Sequence, residues 1–183
     1  ASSDYRQRRT EISRFNKENS ILKRGLALTP VKFGISFTAK HLNQAGALVH
    51  VYTDGSIHLN HGGTEMGQGL YIKVAQVVAA AFQVDLDRVK VSATRTDKVP
   101  NTSPTAASSG TDLNGMAALD ACEKIKQRLV EFAAETYGVS ADSVRFENNQ
   151  VNVGEQQFGW AEFVQQAYMA RVSLPSNGFD STP

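Results

Sequence analysis

The sequence predicts an α+β fold, in which strands joined by hairpins form sheets that pack against amphipathic helices. Apolar residues alternate at a period of two on both sides of Asp54-Gly55, a dipeptide that commonly joins two antiparallel strands. Along residues 68–83 and 111–137 the apolar residues recur at helical spacing instead. Because hairpins accompany the helices, the pattern favours α+β over a doubly wound parallel sheet.

The N-terminal half begins with a charged segment that carries one narrow apolar stripe. Tyr5, Ile12 and Phe15 form this stripe, which predicts a surface helix within residues 1–20. Period-two alternation then predicts strands, and helical spacing predicts the next helix. These elements are a strand at 31–37, hairpin strands at 47–52 and 57–60, a helix over 68–83 and a short strand at 89–92.

The C-terminal half is dominated by one long helix. Thr111 or Asp112 is a suitable N-cap for it, and Gly138 is well placed as its C-cap after Tyr137. Cys122 lies on its apolar face, which predicts a buried structural thiol. The remaining elements are a hairpin of 143–147 and 150–153 turning at Asn148-Asn149, a helix over 160–170 and an irregular tail over 171–183. We therefore treat residues 1–183 as one domain.

Composition excludes several functional classes. The 183 residues are 41% hydrophobic and 20% charged with a net charge of +1, so no electrostatic argument favours a nucleic acid or an anionic membrane as a partner. No apolar run approaches the roughly 18–20 residues of a membrane span, so we expect a cytoplasmic protein. A single cysteine excludes an intrachain disulfide and a cysteine-held iron–sulfur cluster or zinc in this segment.

Two loops rich in glycine and hydroxyl residues are the strongest functional signal. Loop one is residues 61–69 and loop two is residues 102–110, and each leads directly into a predicted helix. A helix N-terminus presents unpaired N–H groups and a partial positive charge, which suit an anion. Two such termini brought together predict a site for a phosphate-bearing ligand.

Other interpretations of these residues remain open at this point. Both loops fit ordinary polar turns, and Glu65 fits a helix-start carboxylate better than a base. The domain could hold a phosphate ligand, or pack with neighbours, without redox chemistry, and a hydrolase using Glu65 is a third class. His50 and His58 fit a cross-strand pair better than metal ligands, and no metal-ligand spacing or Ser-His-Asp set is convincing.

Two stretches resemble signatures of the xanthine dehydrogenase family of molybdenum hydroxylases. They are Gly62-Gly63-Thr64-Glu65-Met66-Gly67-Gln68-Gly69, and Pro104-Thr105-Ala106-Ala107-Ser108 with Asp112 soon after. Further matches occur at 15–19, 30–38 and 43–52, in the order expected. The resemblance covers nearly the whole chain and implies a molybdopterin-binding domain of the xanthine dehydrogenase and aldehyde oxidase type.

The resemblance also implies roles for particular residues. The Gln68 amide would bond near the molybdenum and dithiolene, and Ala107 would lie beside the metal and the substrate. Thr105 and Ser108 would hold the pterin or its phosphate. Gly110 departs from the family, because many relatives carry a hydroxyl residue there. The full implied cofactor-binding set is Met66, Gly67, Gln68, Thr105, Ala106, Ala107 and Ser108.

The family's glutamate base, its Phe-Gly-Gly motif and its substrate-binding arginine have no counterpart in this chain. Gly154-Glu155 is followed by Gln156-Gln157 where the base motif has prolines. The chain also begins at Ala1 without a methionine, so we expect an internal piece of a longer enzyme that cannot turn over alone. The resemblance implies that other domains or subunits supply iron–sulfur centres and FAD, that the substrate is a purine, and that the parent is a dimer or larger.

Overall fold

The computed structural model describes residues 3–30, 35–98 and 102–182, and the chain divides into two compact units, 1–34 and 35–183. The first unit contains helix α1 (Tyr5–Glu18), which confirms the helix predicted for the N-terminal segment. The Asn16 side chain bonds both backbone groups of Arg24, accepting from its N–H at 2.8 Å and donating to its carbonyl at 2.9 Å. Lys23 Nζ donates to the carbonyls of Asn16 and Asn19, so the segment after the helix folds back over its C-terminal end.

The described residues of the second unit form two sheets and three α-helices, which confirms the α+β prediction. A four-stranded sheet has the order β3-β2-β1-β7, and a three-stranded antiparallel sheet has the order β4-β5-β6. The elements are β1 (Gln44–Val51), β2 (Ile57–His61), α2 (Leu70–Phe82), β3 (Val89–Val91), α3 (Gly110–Tyr137), β4 (Val144–Glu147), β5 (Gln150–Val153), β6 (Gln156–Gly159), α4 (Trp160–Met169) and β7 (Pro175–Ser181).

The large sheet places β1 between two antiparallel neighbours, β2 and β7, while β3 lies parallel to β2. The β1–β2 hairpin turns at Gly55, whose φ of 80° is readily adopted by glycine, and His50 faces His58 across it as predicted. Val49, Val51, Ile57 and Leu59 are fully buried in the core formed with the helices. No helix within residues 3–30, 35–98 and 102–182 combines the length and apolar character that a membrane crossing requires.

The long helix α3 packs against β1, β7 and α2 and contributes many buried residues to the core. Cys122 is fully buried on it, and burial raises the pKa of its thiol to about 12, which confirms a structural thiol. Gly138 follows the helix with a φ of 67°, as a C-cap requires. Asn148 and Asn149 adopt φ of 50° and 62° at the predicted β4–β5 turn.

The prediction of an irregular tail is wrong, because residues 175–181 form strand β7, which pairs with β1 from Gln44 to His50. Gly178 is its only buried residue, so the strand has no apolar alternation to reveal it in the sequence. A Cβ at Gly178 would lie 1.8 Å from the Ala117 carbonyl oxygen and 2.6 Å from the Ala121 backbone nitrogen. The backbone of β7 therefore packs directly on the backbone of α3.

The strand predicted at 31–37 is not found where the structure can test it. Residues 31–34 lie outside the described residues, and Ile35 to Phe37 are not in a strand. The Asn43 side chain bonds the backbone of Phe37 instead, accepting from its N–H at 2.7 Å and donating to its carbonyl at 2.8 Å. A buried amide side chain thus takes the place of a neighbouring strand.

Candidate functional site

Loop one and loop two converge on one pocket, as their spacing before two helices predicted. The pocket has a volume of about 390 Å³ and lies where α2 and α3 begin. Five of the seven residues predicted to bind the cofactor line this pocket, namely Met66, Gln68, Thr105, Ala106 and Ser108, whereas Gly67 and Ala107 do not line it. The full lining is Met66, Gln68, Leu70, Lys73, Thr105, Ala106, Ser108, Gly110 and Thr111.

The two loops are joined by a direct hydrogen bond. The Thr64 N–H of loop one donates to Thr105 Oγ1 of loop two at 2.8 Å. Gly62 lies close to Thr102, because a Cβ at Gly62 would lie 1.8 Å from Thr102 Oγ1. A larger residue at position 62 would push the loops apart, so this glycine is required by close approach.

The N-terminus of α2 already has an anionic partner within its own loop. Glu65 Oε1 accepts from the N–H groups of Gly67 and Gly69 at 2.9 and 3.0 Å, and Oε2 accepts from the Tyr71 N–H at 3.1 Å. These backbone bonds, that of Tyr71 first, hold the pKa of Glu65 below its usual value. The interpretation of Glu65 as a helix-start carboxylate is confirmed, and the expectation that this terminus is free for a ligand anion is wrong.

Gln68 spans loop one with its side-chain amide. Its Oε1 accepts from the Met66 N–H at 2.6 Å, and its Nε2 donates to the Thr64 carbonyl at 3.0 Å. One N–H of the amide remains to bond a ligand, because an amide nitrogen carries two. Gly67 has a φ of 97°, which allows the tight turn that brings Gln68 back over the loop.

The N-terminus of α3 is the helix end that remains open to a ligand. The helix begins at Gly110, after Ser109, and no side chain caps it. Predicting Thr111 or Asp112 as the N-cap was therefore wrong. The Ser109 hydroxyl donates to the Ala106 carbonyl at 2.9 Å and so stabilises the preceding turn, not the helix. Backbone N–H groups at this end and the Ser108 and Thr111 side chains supply hydrogen-bond donors to the pocket.

Lys73 is a pocket residue that the sequence reasoning missed. It lies in the first turn of α2, and it is the only charged side chain among the described residues that line the pocket. Its position could have indicated this role. A residue four positions after Gly69 lies on the same face of the helix as Gly69, where loop one ends. Glu65 neutralises the partial positive charge at the N-terminus of α2. The Lys73 ammonium group supplies a positive charge on that side of the pocket.

The histidines serve the framework of the site. His61 is buried, and burial lowers the pKa of its imidazole to about 4, so the ring is neutral at pH 7. Its Nδ1 accepts from the Gly63 N–H at 3.1 Å, which stabilises the start of loop one. Across the described ranges, no group of three or more His, Cys, Asp or Glu side chains is placed to hold a metal ion.

Gly110→Ser introduces a hydroxyl at the position where the resemblance to the family implies one. A Cβ there would lie 3.4 Å from Thr105 Cγ2, an ordinary contact, and serine costs less than glycine inside a helix. We expect a gain of about 0.5 kcal/mol and a rise of roughly 1–2 °C in the thermal midpoint. Thermal unfolding of the 183-residue chain measures this, and a lower midpoint would contradict the ordinary van der Waals distances around the added Cβ.

Comparisons with known proteins agree with this architecture. A family model described as a molybdopterin cofactor-binding domain matches residues 1–182. The chain is 48% identical over 183 residues to a xanthine dehydrogenase of Drosophila pseudoobscura pseudoobscura and to a xanthine dehydrogenase/oxidase of Felis catus. Each match covers 100% of this chain and 12% of the relative, so the chain spans about an eighth of their length.

The fold is also found in a solved CO dehydrogenase. A reconstituted CO dehydrogenase from Oligotropha carboxidovorans superposes with a TM-score of 0.69 at 22% identity, over 76% of this chain and 18% of that one. At this identity the likeness concerns the fold alone. With the family model matching almost every residue, the chain belongs to the molybdopterin cofactor-binding domain family.

Proposed function

We propose that the pocket between loop one and loop two holds the molybdopterin cofactor of a larger xanthine dehydrogenase. The observation that carries this proposal is the convergence of the uncapped α3 N-terminus, three hydroxyl residues and Lys73 on one pocket of about 390 Å³. Helix-end N–H groups, hydroxyls and an ammonium group are the donors that phosphate oxygens prefer. The volume lies in the range of small-molecule sites. The donor set therefore fits a phosphate-bearing pterin.

The two helix ends would bind different parts of the cofactor. The α3 end, with Thr105, Ser108 and Thr111, would bind the phosphate or the pterin oxygens, and Lys73 would add charge from α2. Gln68 would donate its remaining amide N–H, and the exposed Met66 would cover the pocket beside it. Ala106 and Ala107 leave space beside the backbone for a bulky group, and Gly67 allows the turn of loop one.

In the parent enzyme the bound cofactor supplies a molybdenum centre for two-electron hydroxylation of a purine such as hypoxanthine or xanthine, with water as the oxygen source. The parent would pass electrons to NAD through iron–sulfur centres and FAD held by its other domains, and it would work in the cytoplasm as a dimer or larger assembly. This chain would bind and orient the cofactor. It would supply no base, and we propose that it is inactive alone.

Lys73→Gln in the full-length parent tests the proposed site. The substitution removes the charge that lines the pocket while keeping a long polar side chain, so we expect molybdenum and pterin per polypeptide to fall about three- to tenfold. Elemental analysis and pterin release after purification measure both. Lys90→Gln, at an exposed position on β3, is the matched control and should leave both unchanged.

Two outcomes would contradict the proposal. A wild-type parent that contains phosphate ligand but neither molybdenum nor pterin would favour a phosphate-binding domain without redox chemistry. Equal cofactor content in the Lys73→Gln and Lys90→Gln proteins would place the cofactor away from this pocket.

A further inference from the structure

The peptide between Gly63 and Thr64 is bonded from both sides. Thr94 Oγ1 donates to the Gly63 carbonyl at 2.6 Å, and the Thr64 N–H donates to Thr105 Oγ1 at 2.8 Å. The peptide is trans, so its C=O and N–H point in opposite directions from one rigid plane. Whatever orients the Gly63 carbonyl therefore also orients the N–H that reaches loop two.

The directions of the hydrogen bonds around Thr94 follow from its single hydroxyl proton. Two carbonyls lie within reach of this proton, that of Gly63 at 2.6 Å and that of His61 at 3.3 Å from Thr94 Oγ1, and the nearer one, of Gly63, receives it. Because a carbonyl only accepts, the Tyr71 hydroxyl must donate to Thr94 Oγ1 across 3.0 Å. The Tyr71 oxygen in turn accepts from the Thr94 N–H at 3.2 Å. Tyr71 and Thr94 are thus joined by two hydrogen bonds, and the Thr94 hydroxyl proton is directed at the Gly63 carbonyl.

The effect reaches the pocket through Thr105. Its Oγ1 accepts from the Thr64 N–H, and its own hydroxyl proton is then left for another acceptor. Within the described ranges, no protein group accepts that proton, and Thr105 lines the pocket. The Thr105 hydroxyl is therefore available to donate to a ligand oxygen. Its orientation depends on the Gly63–Thr64 peptide, whose plane is fixed by Thr94.

We propose that Tyr71 and Thr94, which do not line the pocket, are positioning residues that orient the Gly63–Thr64 peptide and so aim the Thr105 hydroxyl at the ligand. This rests on the proposed function, since the ligand is the cofactor. His61 supports the adjoining Gly62–Gly63 peptide, whose N–H donates to His61 Nδ1. Neither Tyr71 nor Thr94 belongs to the two loops that the sequence singled out.

The test uses the full-length parent with Thr94→Val, which removes the hydroxyl at nearly constant shape, and Thr94→Ser, which keeps it. Tyr71→Phe is compared with Tyr52→Phe, a half-exposed tyrosine stacked on His50. Two quantities are measured: the exchange rate of the Thr64 amide hydrogen, and the molybdenum and pterin retained after extended dialysis.

We expect Thr94→Val and Tyr71→Phe to speed Thr64 exchange and to lower retained cofactor about three- to tenfold, as loss of one hydrogen bond implies. Thr94→Ser and Tyr52→Phe should match the wild type. Thr94→Val should add no further loss of cofactor to Thr105→Val, because both act through the same hydroxyl.

Faster Thr64 exchange in Thr94→Val with wild-type cofactor retention would overturn the inference and leave the proposed function standing. Additive losses from Thr94→Val and Thr105→Val would overturn it too. A wild-type parent without molybdenum or pterin would instead overturn the proposed function, and with it the role assigned to Thr105.

Discussion

Replacing Gly178 with alanine is expected to leave the second unit unfolded, or destabilised by about 3 kcal/mol or more. The new Cβ would lie 1.8 Å from the Ala117 carbonyl oxygen, and its other near neighbours are also backbone atoms of α3. Backbone atoms cannot move aside as the end of a flexible side chain can. Relief requires β7 to separate from α3, which also disrupts its pairing with β1.

Gly159→Ala is the matched control for this prediction. Gly159 has a φ of −64°, and no atom lies within 4 Å of an added Cβ, so alanine should be neutral or slightly stabilising. Denaturant unfolding of the chain compares the two variants, and the soluble yield reports on Gly178→Ala if it does not fold. A Gly178→Ala midpoint equal to that of wild type would contradict the close packing of β7 on α3.

Acid is expected to destabilise the second unit through His61. Burial lowers the pKa of this imidazole from 6.5 to about 4 in the folded chain. This difference corresponds to about 3 kcal/mol of the free energy of unfolding. Between these values the unfolded chain binds the proton and the folded chain does not. The contribution of neutral His61 to the free energy of unfolding is therefore fully present above pH 6.5, and it is lost as the pH falls toward 4.

The His61→Asn variant isolates this contribution. Asparagine offers an oxygen in place of Nδ1 for the Gly63 N–H and does not titrate, so the unfolding free energy should depend much less on pH between 6.5 and 4. His58, whose pKa is also lowered by burial, remains in both proteins and cancels in the comparison. His41→Asn, at an exposed position, is the control and should keep the wild-type slope. An unchanged slope in His61→Asn would contradict the assignment.

Periodic burial explains most of what could be predicted from the sequence. Helices α1 to α4 and the hairpins β1–β2 and β4–β5 carry apolar residues at the spacing of their structure, and all were predicted. Strand β7 was missed because a glycine, not an apolar side chain, makes its contact with α3. Backbone-to-backbone packing leaves no hydrophobic period in the sequence.

The candidate site was predictable as two loops but not as a set of contacts. Glycine and hydroxyl composition located both loops, and helix starts explained why they would face a ligand. The roles of Glu65, Ser109 and Lys73 depend on which groups meet in three dimensions. A carboxylate that bonds three backbone N–H groups and one that acts as a base look the same in a sequence.

The pairing of β7 with β1 has a consequence for how the chain is made. The Thr182 N–H also donates to the Asn43 carbonyl at 3.1 Å, so the last described residue bonds beside the first strand of the sheet. During synthesis β1 leaves the ribosome early in the second unit. Its neighbour β7 is synthesised only after nearly all of the rest of that unit. Native pairing across such a separation is slow compared with local hairpin formation. During that interval the small-residue face of α3 around Ala117 and Ala121 is exposed to chaperones and to other nascent chains.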